Sequence, residues 1–133
     1  MQEIITGNKE VTMNVLGISY KKASLDIRAA FAFTKEDIKE FRESLFNSTD
    51  KIKQCVVLST CNRCEIYTDG DPDTMVFLQK FLCEYKKIEF GKVVKLFNVY
   101  VGNKAIEHLI KVACGIDSMV VGDDGILRQL KEA

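Results

Sequence analysis

The chain has 133 residues, and its 19 Lys and Arg balance 19 Asp and Glu to a formal net charge of zero. With 47% hydrophobic and 29% charged residues it has the composition of an ordinary folded domain, long enough for one core, and it lacks the positive field of a general nucleic-acid coat. No apolar run approaches the ~18 residues of a membrane helix and the opening MQEIITGNKE is not a signal peptide, so a soluble, cytoplasmic protein with no membrane partner is expected.

Residues 1–10 are polar and read as a tail. Residues 11–20, VTMNVLGISY, are rich in β-formers and predict a first strand, followed by a short helical turn from Ser24 to Phe31. Thr34-Lys35-Glu36-Asp37 has the form of a capping box, with Phe33 placed to staple onto Ile38, and Ile38, Phe41 and Leu45 continue a helix to about Asn47. The unbroken apolar run Cys55–Leu58 predicts a strand buried on both faces. Four polar residues, Thr60 to Arg63, then lead into the alternating Cys64–Thr68, so the two strands form a hairpin with Cys61 at its tip. Asp71-Pro72 offers an N-cap and a first-turn proline for a helix whose stripe is Leu78, Phe81, Leu82 and Tyr85.

Residues 93–101, VVKLFNVYV, predict the fourth strand. Asn103 then caps a helix with the stripe Ile106, Leu109, Ile110 and Ala113, closed by Gly115. The order β-α-β-β-α-β predicts an α+β, ferredoxin-like sandwich with an extra C-terminal helix. The domain is expected over residues 11–121. Residues 122–133 read as the start of a helix without a stop signal, as in one domain of a longer protein.

Five cysteines, odd in number and irregular in spacing, are not a disulfide framework. Cys55, Cys83 and Cys114 lie in apolar runs and read as small buried hydrophobes. Cys61, at the tip of a turn beside the permanent charge of Arg63, is in a setting that favours the thiolate. The one histidine, His108, falls roughly 150° from the centre of its helix stripe at about 100° per residue. It shares that side with Ala105 and Val112, and either faces solvent or meets the Cys61 hairpin, where an imidazole would serve proton transfer. Cys61-Asn62-Arg63-Cys64 is a weak zinc motif, having no second ligand pair. It is equally weak as a redox pair, since a strand rather than a helix follows it. Gly122-Asp123-Asp124-Gly125 would repel phosphate, so no nucleotide site is expected, and without a second zinc ligand pair or calcium-loop spacing no metal site is expected either. Asp69, Asp71 and Asp73 read as turn and cap residues, and Lys21-Lys22 and Lys86-Lys87 as solvated faces.

The segment from Leu58 to Tyr67, LSTCNRCEIY, closely resembles the signature of the glutamyl-tRNA reductase family. Gly17-Ile18-Ser19-Tyr20-Lys21-Lys22-Ala23 with Arg28, and His108-Leu109 followed by the run Ala113–Gly122, resemble two further family motifs in the expected order. The resemblance implies a catalytic, ferredoxin-like N-terminal domain. In it Cys61 attacks the ester joining glutamate to tRNA, forming a thioester that NADPH, bound by a domain outside this chain, reduces to glutamate 1-semialdehyde for tetrapyrrole synthesis. It further implies His108 in acid–base or orienting work, and Thr60, Asn62, Arg63 and Ser118 in substrate binding. Arg63 is suited to the substrate's free carboxylate through paired hydrogen bonds. The partners implied are glutamyl-tRNA, the following aminomutase, and a second copy in the full-length enzyme. Cys64, Asp123 and Gly125 depart from the family pattern. Two other classes compete: an RNA-binding or regulatory sandwich, and a thiol redox module using Cys61 and Cys64.

Overall fold

The computed structural model describes residues 12–19 and 21–114, with two short strands before them, β1 (Ile5–Thr6) and β2 (Lys9–Glu10), which pair as an antiparallel ribbon within the segment read as a tail. Ser118, Gly115 and the helix expected over 122–133 lie outside the described residues. The main sheet contains β3 (Asn14–Ser19), β4 (Cys55–Ser59), β5 (Arg63–Thr68) and β6 (Asn98–Val101), in the order β4-β5-β3-β6 with every neighbour antiparallel. Helices α1 (Leu25–Ala30) and α2 (Lys35–Ser48) link β3 to β4, α3 (Thr74–Lys86) and α4 (Phe90–Val93) link β5 to β6, and α5 (Asn103–Ala113) follows β6.

Alternation along the strands divides the sheet into two faces. Leu16, Ile18, Cys55, Val57, Cys64 and Ile66 form one, covered by Phe41 and Leu45 of α2 and by Leu78 and Leu82 of α3. Here Phe41 meets Phe33, Phe81 and Tyr85 edge-on, with ring centroids 5.2–5.5 Å apart. Val15, Leu58 and Tyr67 face the other way and pack on Ala105 and Val112 of α5. Both faces of β5 are therefore covered, and all six of its residues are buried.

The capping box of α2 forms as expected, Thr34 Oγ1 accepting from Asp37 N–H and the Asp37 carboxylate from Thr34 N–H, each at 3.0 Å. Four other expectations change. The fourth strand is only Asn98–Val101, because 90–96 fold as α4 and a 3-10 turn that seat Val93 and Phe97 in the core. Asp71 is not the cap of α3: its carbonyl accepts from Thr74 N and Oγ1, closing a turn, and the helix starts after Asp73. Gly102, at φ +61°, rather than Asn103 precedes the first residue of α5. Cys114, expected in the core, is exposed.

The largest revision concerns α5. Its buried residues are Ala105, Ile106, His108 and Val112, while Ile110, assigned to the stripe, is 42% exposed. Small side chains at 105 and 112 let the helix approach the sheet, and the imidazole between them reaches a buried carboxylate.

Candidate active site

The β4–β5 turn is held from within and from outside. Thr60 Oγ1 accepts from the N–H groups of Asn62 and Arg63, both at 3.2 Å, and Thr60 N–H donates to the Arg63 carbonyl at 2.8 Å. Arg28 of α1 reaches over and donates from Nη1 to the carbonyls of Cys61 (3.4 Å) and Asn62 (3.5 Å). These bonds present the thiol of Cys61 to solvent at the tip, with Sγ 3.8 Å from Asn62 Oδ1. The Asn62 side chain is buried, and its Nδ2 has no hydrogen-bond partner among the described residues.

Arg63 is not part of the turn, as expected from its polarity, but the first residue of β5. It is 1% exposed, and it points to the face under α5. Two residues on, Glu65 shares that face, and so does Tyr67. Glu65 Oε2 accepts from Arg63 Nη1 at 3.0 Å and lies 2.6 Å from His108 Nε2, while Oε1 accepts from the Tyr67 hydroxyl at 2.7 Å. Tyr100 of β6 stacks on the imidazole, centroids 4.5 Å apart. Burial opposes the charge on Glu65. The hydrogen bond and charge of His108, the charge of Arg63 and the Tyr67 hydroxyl more than offset this, and hold its carboxyl below the usual range.

His108 therefore turns toward the sheet that carries the hairpin, and the structure brings it together with Arg63 through a carboxylate that the sequence reading passed over. The signal was available: 63, 65 and 67 are alternate positions on one strand, so a charge at 63 and a charge at 65 must share a face. His108 also lines an open cleft of about 250 Å³ with Lys21, Tyr100, Lys104, Glu107 and Lys111.

Cys64 points the opposite way from Arg63, into the α2–α3 core, where burial pushes its thiol up to about 12. Cys55 is pushed to about 12 by burial as well. A Cys61–Cys64 redox pair has no support in this arrangement, and an open RNA-binding sheet has none either, because α5 covers the face such a module would use. With the native fold maintained, a thiol-reactive dye should modify Cys61 and Cys114 quickly and Cys55, Cys64 and Cys83 slowly, following their exposure. Rapid labelling of Cys64 would contradict this placement.

Of the lysines read as solvated faces, Lys22 is exposed and Lys86 half-buried; their ammonium groups also donate to the carbonyls of Phe97 and Ala32, and Lys86 lies over the Phe33 ring. Asp69, read as a turn or cap residue, instead ties the segment before β4 to the end of β5, its Oδ1 accepting from the N–H groups of Lys53 and Gln54. Among the described residues no three His, Cys, Asp or Glu side chains form a metal-binding group, and no helix is long and apolar enough to cross a membrane.

Residues 16–133 match the family model for the glutamyl-tRNAGlu reductase N-terminal domain. The chain is 38% identical over 120 residues to a glutamyl-tRNA reductase of Shouchella clausii, covering 89% of the chain and 26% of the relative. It is also 38% identical over 123 residues to one of Alkaliphilus oremlandii, covering 91% and 36%. The solved glutamyl-tRNA reductase from Methanopyrus kandleri superposes with a TM-score of 0.70 at 28% identity, over 90% of this chain and 26% of that one. The chain thus spans about a quarter to a third of the length of these relatives.

Proposed function

Because the chain belongs to the glutamyl-tRNA reductase N-terminal domain family, we propose that it performs the acyl-transfer half of that activity, with Cys61 as nucleophile and glutamyl-tRNA as substrate. The observation that carries this reading is the presentation of Cys61: an exposed thiol on a turn fixed by Thr60 and Arg28, on the hairpin whose second strand holds Arg63 and Glu65. Sγ attacks the ester carbonyl, the bond from that carbon to the ribose oxygen breaks, and the ribose oxygen takes up a proton. The glutamyl group remains on the protein as a thioester.

His108 is the proton-handling side chain in this reading, and Arg63 supplies positive charge for the substrate's free carboxylate while Glu65 holds it by one nitrogen. Asn62 Nδ2, which has no hydrogen-bond partner among the described residues, supports a substrate hydrogen bond at the turn. The lysines of the cleft suit the phosphates next to the ester. Ser118 is retained as a substrate-binding residue on the family resemblance.

NADPH belongs to the full-length activity, and the described residues do not fit it. The glycines that join a strand to a helix, Gly70 and Gly102, stand singly, and a Cβ on Gly70 would meet the Lys51 carbonyl at 2.7 Å, a packing contact rather than a phosphate cradle. No reductive step is assigned to this chain. A ferredoxin-like sandwich is our reading of the architecture, supported by the β4-β5-β3-β6 order with its two crossovers. Cytoplasmic localisation, dimerisation of a full-length enzyme and hand-over to an aminomutase extend the same reading.

The test is direct. Glutamyl-tRNA labelled on its glutamate is mixed with the chain, quenched in acid and run on a denaturing gel without thiol. Label should remain on the protein and be released by hydroxylamine. Labelled protein resistant to hydroxylamine, or none with either this chain or a full-length relative, would overturn the thioester.

A further inference from the structure

We propose that Glu65 is a positioning residue for His108: its carboxylate fixes the imidazole as the Nε2–H tautomer, so that in the neutral ring the lone pair lies on Nδ1. The inference deepens the acyl-transfer reading and rests on it for its catalytic meaning, but its structural half stands on geometry alone.

A carboxylate has only acceptors to offer. The Glu65 carboxylate is held ionised by the groups around it, and among the described residues those facing it are Arg63 and Tyr67 from its own strand and His108 from α5. Each must donate. Arg63 and Tyr67 have no difficulty, since a guanidinium nitrogen and a phenol both bear hydrogen. His108 meets the carboxylate at 2.6 Å through Nε2, so Nε2 bears the proton, and in the neutral ring the lone pair is then on Nδ1.

Neighbours leave the ring little room to turn. Tyr100 stacks on it with planes 18° apart, and the ring is 6% exposed. Glu65 is itself fixed, because Tyr67 takes Oε1 while Arg63 and His108 share Oε2. The same carboxylate thus anchors the proposed substrate-charge partner and the proposed proton carrier. A buried Arg–Glu–His–Tyr cluster is costly as a way of stabilising a fold, whereas fixing a tautomer is the kind of task a carboxylate behind a working histidine performs.

His108 is the one histidine in the chain, so its ring can be read without assignment. Long-range proton–nitrogen correlation spectra of the uniformly 15N-labelled chain, taken at pH values where the imidazole is neutral, should show Nε2 as the protonated nitrogen and Nδ1 as the bare one. In Tyr67→Phe, which leaves Oε2 in place, the pattern should persist. In Glu65→Gln, where a single amide oxygen must serve three donors and the amide NH2 can itself donate to the ring, the preference should collapse to a mixture or reverse. A bare Nε2 in the wild-type chain would overturn the proposal, even if Glu65→Gln failed to fold, and so would an unchanged tautomer in a folded Glu65→Gln. With labelled glutamyl-tRNA, Glu65→Gln should slow acylation of Cys61 by about 10²-fold, the low end of what a positioned proton carrier contributes. No substrate enters the spectra, so failure of the thioester chemistry and failure of the tautomer assignment are separate results.

Discussion

Cys61→Ser should abolish transfer of glutamate from glutamyl-tRNA to the protein, lowering the acylation rate by about 10⁴-fold or more, as loss of a covalent nucleophile does in other acyl-transfer enzymes. The alcohol is a far weaker nucleophile than a thiolate at neutral pH. The fold should be indifferent to the change: the side chain is exposed, its Sγ makes among the described residues a long contact to Asn62 Oδ1, and the turn is held by Thr60, Arg28 and backbone groups that the substitution leaves alone. Such surface changes usually stay within about 0.5 kcal/mol. Cys114→Ser, at the other exposed thiol, is the matched control and should retain full labelling. Label persisting on Cys61→Ser but lost on Cys114→Ser would move the nucleophile to the end of α5.

Glu65→Ala should destabilise the chain strongly, by about 3–5 kcal/mol, because it removes the carboxylate paired with the buried guanidinium of Arg63. Against the 5–15 kcal/mol by which domains are usually stable, that is a large share, and urea midpoints measure it. The effect has a pH signature. The Glu65 carboxyl is held below its ordinary 4.5 in the folded chain, so the unfolded chain takes up that proton first. The contribution is complete above about 4.5 and is lost as pH falls through the lower folded-state value. Wild-type midpoints should therefore fall below pH 4.5 more steeply than those of Glu65→Gln, which has no proton to bind there. Parallel profiles for the two would mean that the ionised carboxylate does not stabilise the folded chain.

Much of this architecture was legible because local rules and tertiary packing agree. The capping box at Thr34 and the strand at 64–68 are written in neighbouring residues, and the folded chain uses them, with Arg63 passing from the expected turn at 60–63 into the strand. The misreadings occur where long-range packing overrode local pattern. Val93 to Leu96 have β-forming character, yet the core needs Val93 and Phe97 in a coiled connection. Ile110 belongs to the apolar stripe by period, yet α5 turns His108 rather than Ile110 inward, onto Glu65, 43 residues away in sequence. Arg63 looked like a turn residue because charged side chains seldom lie in a strand covered on both faces; its partner two places on removes the objection. Cys61 and His108 were recognisable from their residue types and family motifs, whereas Glu65 needed the strand's face to be paired with a helix that sequence alone does not dock.

The two halves of the site differ in how far the chain must close to make them. Ser59 pairs with Cys64 across a separation of 5, while Glu65 meets His108 across 43. By loop-closure entropy alone the second contact costs roughly 2 kcal/mol more to bring together, and it waits for β6 and α5 to dock. During folding the hairpin can thus display its thiol before the histidine arrives. An early chain emerging from synthesis would expose the Cys61 thiol before Glu65 has met His108, and reducing conditions during that interval would protect it.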